Sequence, residues 1–159
     1  MIQRKKILIV EDNSMVIALL RHILEKENFE LQIVNDGNEG ILAVGTPNLD
    51  LIIMDVMLPY RSGFEVISHA KKVNREVPII ILSSLGRVDN TIRDANNLGV
   101  FQVLSKPFSA TELLSRIHFL MDQKPFKEPK KTGAPKRPHT APEVKPRESS
   151  LGIHLPKKL

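Results

Sequence analysis

The chain has 159 residues, which is long enough for one domain with a complete hydrophobic core and an appendage. It contains no cysteine, which excludes disulfide bonds and thiolate metal sites. No stretch approaches the roughly 20 apolar residues of a membrane-spanning helix, and the first apolar run is too short for a signal peptide, so we expect a soluble, cytoplasmic protein.

The net charge of +5 is unevenly distributed along the chain. Residues 1–122 contain 13 Lys and Arg against 15 Asp and Glu, a formal charge of −2. Residues 123–159, called the tail below, contain 10 against 3, a formal charge of +7, and seven of the eleven prolines. The tail cannot bury enough apolar surface to offset its chain entropy. We therefore predict a folded domain over residues 1–122 and a disordered, basic, proline-rich tail.

In the first half of the predicted domain, short apolar runs alternate with segments of helical periodicity. Residues 7–10 form a continuous apolar run of strand length, and residues 14–26 place apolar side chains at helical spacing. Residues 31–34 predict a second strand, which ends at a turn signal over residues 35–37. A short helix is predicted over residues 38–45.

The second half continues the same alternation. Strands are predicted at residues 51–54, 78–82 and 100–104, and helices at residues 62–73, 88–98 and 109–121. Ser109 and Glu112 have the spacing of a capping box, which opens the last helix.

Five strands alternating with five helices predict an α/β fold with a parallel sheet. The strands are continuous apolar runs rather than alternating ones, which is typical of strands covered by helices on both faces. An open sheet of this kind binds its ligands outside the carboxyl ends of the strands.

Polar side chains follow four of the predicted strands. Glu11 and Asp12 follow the first strand, Asp55 the third, Ser83 the fourth, and Lys106 comes shortly after the fifth. Three acids in one cleft repel one another, which a divalent cation relieves. Mg²⁺ prefers oxygen ligands and is commonly held by one or two carboxylates plus a phosphate. The pattern predicts one metal-assisted phosphoryl site, although any single acid at these positions could equally be a solvated loop residue.

Asp50 precedes the third strand and serves as a comparison for Asp55. At about 3.3 Å per residue it lies roughly 17 Å from Asp55, at the other edge of the sheet. We expect Asp50 to have a structural or solvated role.

With these residues in place, residues 4–122 resemble the receiver domain of two-component response regulators. The matching segments, in chain order, are residues 7–13, residues 50–59 with Gly63, residues 78–84 and residues 104–108. Their common order and spacing carry the resemblance, which no single segment does. It implies a flavodoxin-like (βα)5 fold, a doubly wound parallel sheet with strand order 2-1-3-4-5.

The resemblance also implies roles for individual residues. Asp55 would accept a phosphoryl group from a sensor histidine kinase or phosphotransfer protein. Mg²⁺ would be held by Glu11, Asp12, Asp55 and the main-chain carbonyl of Met57. Ser83 and Lys106 would bind the phosphoryl group and act in the switch.

Three further residues would support the site structurally. They are Pro59, Gly63 and Pro107, and the resemblance implies a cis peptide between Lys106 and Pro107. The chain would be a phosphoacceptor signalling protein and not a dedicated enzyme, since it would assist only its own phosphoryl transfer and dephosphorylation.

The sequence departs from the family pattern at two places. Val103 occupies the fifth-strand position that often carries an aromatic switch residue, so signalling is expected to run through residues 83–87 and the following helix. Met57 and Leu85 flank the site where polar residues are common, which predicts a phosphoryl lifetime longer than minutes.

Other chemistry on the same sheet fits the sequence less well. A dinucleotide or flavin site needs a glycine- or hydroxyl-rich loop after the first strand, where this chain has acids. A hydrolase working through an aspartyl phosphate usually carries its nucleophile after the first strand, whereas Asp55 follows the third.

The output of the domain leaves alternatives open. The first is a phosphorylation-controlled switch in affinity for a protein partner that the sequence does not identify. The second is an adaptor that binds nucleic acid or another polyanion through the basic tail, although the tail has only Phe126 for base stacking. The third is a degenerate receiver used as a scaffold.

Overall fold

A parallel sheet lies at the centre of the computed structural model, which describes residues 3–84, 88–100 and 102–123. Across these residues the strands are β1 (Lys6–Val10), β2 (Glu30–Val34), β3 (Leu51–Asp55), β4 (Ile79–Ser84) and β5 (Gln102–Lys106). They pair in parallel in the order β2-β1-β3-β4-β5. The predicted α/β class and strand order are confirmed.

Helices connect the strands, and polar side chains fix where several of them begin. The helices are α1 (Ser14–Lys26), α2 (Gly37–Ala43), α3 (Gly63–Val73), α4 (Val88–Asn97) and α5 (Ala110–Asp122). The capping box predicted for the last helix is present: Ser109 Oγ accepts the Glu112 N–H at 3.1 Å, and Glu112 Oε2 accepts the Ser109 N–H at 2.8 Å.

Alternate residues of the strands face two separate apolar layers. On one face, Leu8 and Val10 of β1 join a core cluster with residues of α2, α3 and α4. On the other face, Ile7 and Ile9 join a second cluster with residues of α1 and α5. Both faces of the sheet are therefore covered, as the continuous apolar runs predict.

The predicted boundaries of two strands, β4 and β5, are wrong by one or two residues. β4 continues through Ser84 and β5 through Lys106, because Ser83 pairs with Ser105 and Ser84 with Lys106 in the ladder. Val100 is not in β5, since its N–H donates to the carbonyl of Ala95 at the end of α4. Ser83 and Lys106 therefore belong to the strands, not to the loops that follow them.

Several sequence predictions concern residues outside the described ranges. Leu85 and the rest of residues 85–87, residue 101 of the predicted fifth strand, and almost all of the tail, from residue 124 onward, lie there. Among the residues that the structure describes, no helix is long and apolar enough to cross a membrane.

Candidate functional site

Three carboxylates meet at the carboxyl edge of the sheet. β1 and β3 are neighbours with Val10 opposite Met54, so Glu11 follows β1 next to Asp55, the last residue of β3. One carboxylate oxygen from each of Glu11, Asp12 and Asp55 lies within 4.8 Å of the others. The acids that are distant in sequence are thus close enough to bind one cation together.

The three acids differ strongly in exposure. Glu11 is fully buried and Asp55 is buried, whereas Asp12 is exposed to solvent. Burial raises the pKa of Glu11 above its usual value, and the neighbouring charge of Asp55 adds to the rise. The Asn13 N–H, which donates to Glu11 Oε1 at 3.0 Å, and the charge of Lys106 oppose it.

Lys106 supplies the positive charge at the buried side of the cluster. Its ammonium donates to Asp55 Oδ2 and lies 3.4 Å from Glu11 Oε2. Burial alone would lower the pKa of Lys106, but the hydrogen bond to Asp55 and the charges of Asp55 and Glu11 raise it on balance. The ammonium therefore stays charged and offsets part of the acidic charge.

The other oxygen of Asp55 is oriented by its own loop. Asp55 Oδ1 accepts the Met57 N–H at 2.7 Å, while Oδ2 is paired with Lys106. Met57 lines the cleft above the acids together with residues 11–15, and its side chain is 55% exposed. The Asp55 carboxylate is held in one orientation at the base of an open cleft.

Close packing fixes the loop between β3 and α3. A Cβ atom on Gly63 would lie 2.3 Å from the Asp55 carbonyl oxygen, so a side chain there does not fit. The Gly63 N–H donates to the Val56 carbonyl, and the Pro59 carbonyl accepts the N–H groups of Gly37 and Arg61. The loop that carries Met57 is thereby fixed at both ends.

Lys106 is followed by a turn at the same edge. The Lys106–Pro107 peptide is cis, as the resemblance implies. The next residue, Phe108, is partly buried against the apolar cluster below α1 and α5.

Ser83 lies near the end of β4, and its side chain faces α4. It is fully buried, and its Oγ lies 2.9 Å from Thr91 Oγ1 of α4. Ser83 does not line the cleft that contains the three acids. The sequence predictions do not include Thr91. Its spacing of four residues from Ala95 indicates a shared buried side of α4, and this is the pattern from which it could be identified.

Asp50 lies at the opposite edge of the sheet, as predicted. Its Oδ1 accepts from Lys5 Nζ at 2.8 Å, and its Oδ2 accepts the Lys6 N–H at 2.8 Å. Asp50 therefore has a structural role at the start of β1.

An apolar groove adjoins the acidic cleft. Met15 and Lys106 line both, and the groove continues along α1 and over the turn after β5 through Val16, Leu19, Pro107 and Phe108. Met15 is 80% exposed and Leu19 is 43% exposed. Large apolar side chains next to a charged cleft are a feature of protein-binding surfaces.

Comparison with known proteins agrees with this geometry. A family model described as the response regulator receiver domain matches residues 7–118. The chain is 34% identical over 117 residues to the transcriptional regulatory protein PcoR of Escherichia coli, covering 74% of this chain and 51% of that protein. The chain spans about half the length of the curated relatives it matches.

Solved structures share the fold over nearly their whole length. A response regulator receiver domain protein from Clostridium thermocellum superposes with a TM-score of 0.67 and 29% identity, covering 74% of this chain and 94% of that one. A second similar structure is the receiver domain of the sensor histidine kinase PA1611 from Pseudomonas aeruginosa PAO1, which has a magnesium ion coordinated in its active-site cleft. It superposes with a TM-score of 0.68 and 25% identity, covering 75% of this chain and 98% of that one. With the family match, the strand order and the converging acids, these similarities establish that the chain belongs to the response regulator receiver domain family.

Proposed function

We propose that Asp55 accepts a phosphoryl group from the phosphohistidine of a sensor histidine kinase or phosphotransfer protein, and that this changes the affinity of the domain for a protein partner. The observation that carries the proposal is the convergence of Glu11, Asp12 and Asp55 within 4.8 Å, with Lys106 paired to Asp55. Phosphoryl transfer needs positioning and charge neutralisation more than covalent assistance, and these residues supply both.

The acidic cluster fits Mg²⁺. Its donors are carboxylate oxygens, the hard ligands that Mg²⁺ prefers, and the exposure of Asp12 leaves the solvent side open for water and phosphate. Glu11, Asp12, Asp55 and the main-chain carbonyl of Met57 would hold the ion. When bound, Mg²⁺ would neutralise negative charge on the phosphoryl oxygens.

The transfer step uses Asp55 as the nucleophile. One carboxylate oxygen forms a bond to phosphorus as the bond from phosphorus to the histidine nitrogen breaks, and the electron pair of that bond returns to the imidazole. The product is an acyl phosphate on Asp55. Lys106 Nζ, already bonded to Asp55 Oδ2, is within reach of the new phosphoryl oxygens and offsets their charge.

The apolar groove supports a protein as the donor. The exposed side chains of Met15 and Leu19 border the cleft in which Asp55 lies, so a donor that covers them brings its phosphohistidine to the acids. We infer that the donor docks over α1.

The output surface is expected on the side of α4, β5 and α5, residues 88–121. Phosphorylation shifts a two-state equilibrium, and the shift changes partner affinity through differential contacts. Residues 1–122 carry a formal charge of −2, which disfavours direct binding of a polyanion, so a protein partner is preferred to nucleic acid for this domain.

Labelling with a small phosphodonor tests the phosphoacceptor. We expect the full chain, incubated with acetyl phosphate and Mg²⁺, to gain one hydroxylamine-sensitive phosphoryl group, measured by intact mass. Asp55→Asn should abolish the gain, whereas Asp50→Asn should retain it, because Asp50 precedes the same strand and lies at the opposite edge of the sheet. Labelling that persists in Asp55→Asn would overturn the assignment.

A further inference from the structure

The hydrogen bond between Ser83 and Thr91 joins the end of β4 to α4 within an apolar layer. Ser83 is 0% exposed and Thr91 4% exposed, and their hydroxyl oxygens are 2.9 Å apart. Ile81, two residues before Ser83, and Ala95, one helical turn after Thr91, both belong to the apolar cluster on this face of the sheet. Two buried hydroxyls therefore satisfy each other where apolar neighbours surround them.

Ser83 is also close to the proposed phosphoryl position. Leu82 pairs with Asp55 in the ladder, so Ser83 lies one residue beyond Asp55 on the neighbouring strand, and neighbouring strands are about 4.8 Å apart. Ser83 is nevertheless separate from the cleft that contains the acids, because its hydroxyl is bonded to Thr91.

Either hydroxyl of the pair can be the donor, so the competition is one of position. Ser83 lies within hydrogen-bond distance of Thr91 while it faces α4, and turning toward a phosphoryl oxygen on Asp55 moves its oxygen away from Thr91. The phosphoryl group and Thr91 thus compete for the same side chain.

We infer that Thr91 is a positioning residue that holds the Ser83 hydroxyl against α4 in the unphosphorylated domain, and that phosphorylation of Asp55 releases it. This inference rests on the proposed function, since it assigns a regulatory role to a neighbour of the same site. Release of Ser83 breaks the hydrogen bond between β4 and α4. Phosphorylation of Asp55 would thereby affect α4 without an aromatic side chain at residue 103.

The affinity of the full chain for beryllofluoride in the presence of Mg²⁺ tests this competition, because the anion imitates a phosphoryl group on a carboxylate. Thr91→Val keeps the shape of the side chain and leaves Ser83 without its buried partner only in the free state. We expect it to bind beryllofluoride about fivefold or more tightly than the wild type. Ser83→Ala should bind more weakly, since it loses the contact with the anion.

Two further variants separate positioning from simple packing. In the Ser83→Ala background, Thr91→Val should change the affinity by less than about twofold, because the competing hydroxyl is gone. In the chain that retains Ser83, Thr91→Ser keeps a hydroxyl at residue 91, and its affinity for beryllofluoride should be close to that of the wild type. If Thr91→Val does not fold, Thr91→Ala takes its place in the same comparison.

The results distinguish failure of this inference from failure of the proposed function. An unchanged or weaker affinity in Thr91→Val, or the same gain with and without Ser83, would overturn the role of Thr91 while leaving the phosphoacceptor intact. Failure of the wild-type chain to bind beryllofluoride with Mg²⁺ would overturn the proposed function, and the role of Thr91 with it.

Discussion

Lys106 and Glu11 are 95 positions apart in sequence, yet Lys106 Nζ lies 3.4 Å from Glu11 Oε2. The same ammonium is bonded to Asp55, so Lys106 lies against two buried acids at the ends of β1 and β3. A side chain on β5 therefore offsets part of the negative charge of a cluster that is built two and three strands away.

Removal of that ammonium should be costly in the absence of metal. We expect Lys106→Ala to lower the free energy of unfolding by roughly 2 kcal/mol in Mg²⁺-free buffer, because it leaves two buried acids without their counter-charge. Mg²⁺ binding should be retained and should restore most of the loss. Urea titrations with and without Mg²⁺ measure both effects.

Lys5→Ala is the matched control for Lys106→Ala. Lys5 pairs with Asp50 at 2.8 Å, but its side chain is 61% exposed, so the change should cost less than about 1 kcal/mol. Equal losses in the two variants would contradict the role assigned to Lys106.

The raised pKa of Glu11 predicts an unusual pH dependence of stability. Between the usual carboxyl value of 4.5 and the raised value, the folded domain holds a proton on Glu11 that the unfolded chain has lost. Stability of the metal-free domain should therefore fall as pH rises through this interval. Since Mg²⁺ binds the ionised acid, its affinity should rise over the same interval.

Thermal unfolding across this pH range, with and without Mg²⁺, measures the effect. Glu11→Gln removes the titrating group and should flatten the change in the metal-free domain. A wild-type stability that increases with pH through the same interval would contradict burial of the Glu11 carboxyl as the cause of its raised pKa.

The close approach of Gly63 to β3 predicts that a side chain at residue 63 lowers the free energy of unfolding. Gly63→Ala places a Cβ atom 2.3 Å from the Asp55 carbonyl oxygen, and we expect a loss of about 1–3 kcal/mol together with slower phosphoryl uptake. Gly45→Ala is the control, since its Cβ would lie 3.7 Å from the nearest atom, the Leu42 carbonyl oxygen. Denaturant titration should separate the two; equal stability would mean that the loop moves aside freely.

Tyr60 carries backbone strain in the same loop. It has a φ of +66° and is 81% exposed, so its side chain has a steric cost without burying apolar surface. Tyr60→Gly should raise the free energy of unfolding by about 1 kcal/mol, whereas Tyr60→Ala keeps the strained backbone and should not. Urea midpoints compare the two, and a gain in both would assign the effect to the ring rather than to the backbone.

Deletion of residues 123–159 should leave phosphoryl uptake from acetyl phosphate and the thermal midpoint nearly unchanged, because a segment of this composition contributes little to a core. Retained uptake with a large loss of stability would mean that the tail packs on the domain. Salt-dependent binding of DNA that the deletion removes would instead favour the polyanion-binding alternative.

The fold and the acidic cluster were accessible from sequence because both follow from order along the chain. Apolar runs of strand length identify buried parallel strands, and residues that follow them share one edge of the sheet. That logic placed Glu11, Asp12 and Asp55 together and separated Asp50 from them. Strand ends were less predictable: Val100 is apolar, yet its N–H is used to close α4.

Contacts between layers were not accessible in the same way. Thr91 bonds Ser83 only because α4 packs on β4 at a particular angle and depth, which no local pattern encodes. The hydrogen bond from the Met57 N–H to Asp55 Oδ1 likewise depends on the backbone path of the loop. The spacing of Thr91 and Ala95 indicates a buried face of α4, but it does not indicate that Ser83 is the residue that Thr91 contacts.

The division of β1 between the two apolar layers has an evolutionary consequence. Ile7 and Ile9 point to one layer and Leu8 and Val10 to the other, so an insertion or deletion of one residue within β1 would exchange the layers that these side chains enter. It would also turn Glu11 away from Asp55. Lineages of this domain should therefore accept substitutions in β1 far more readily than changes in its length. The number of residues in the strand determines to which side of the sheet the Glu11 side chain points.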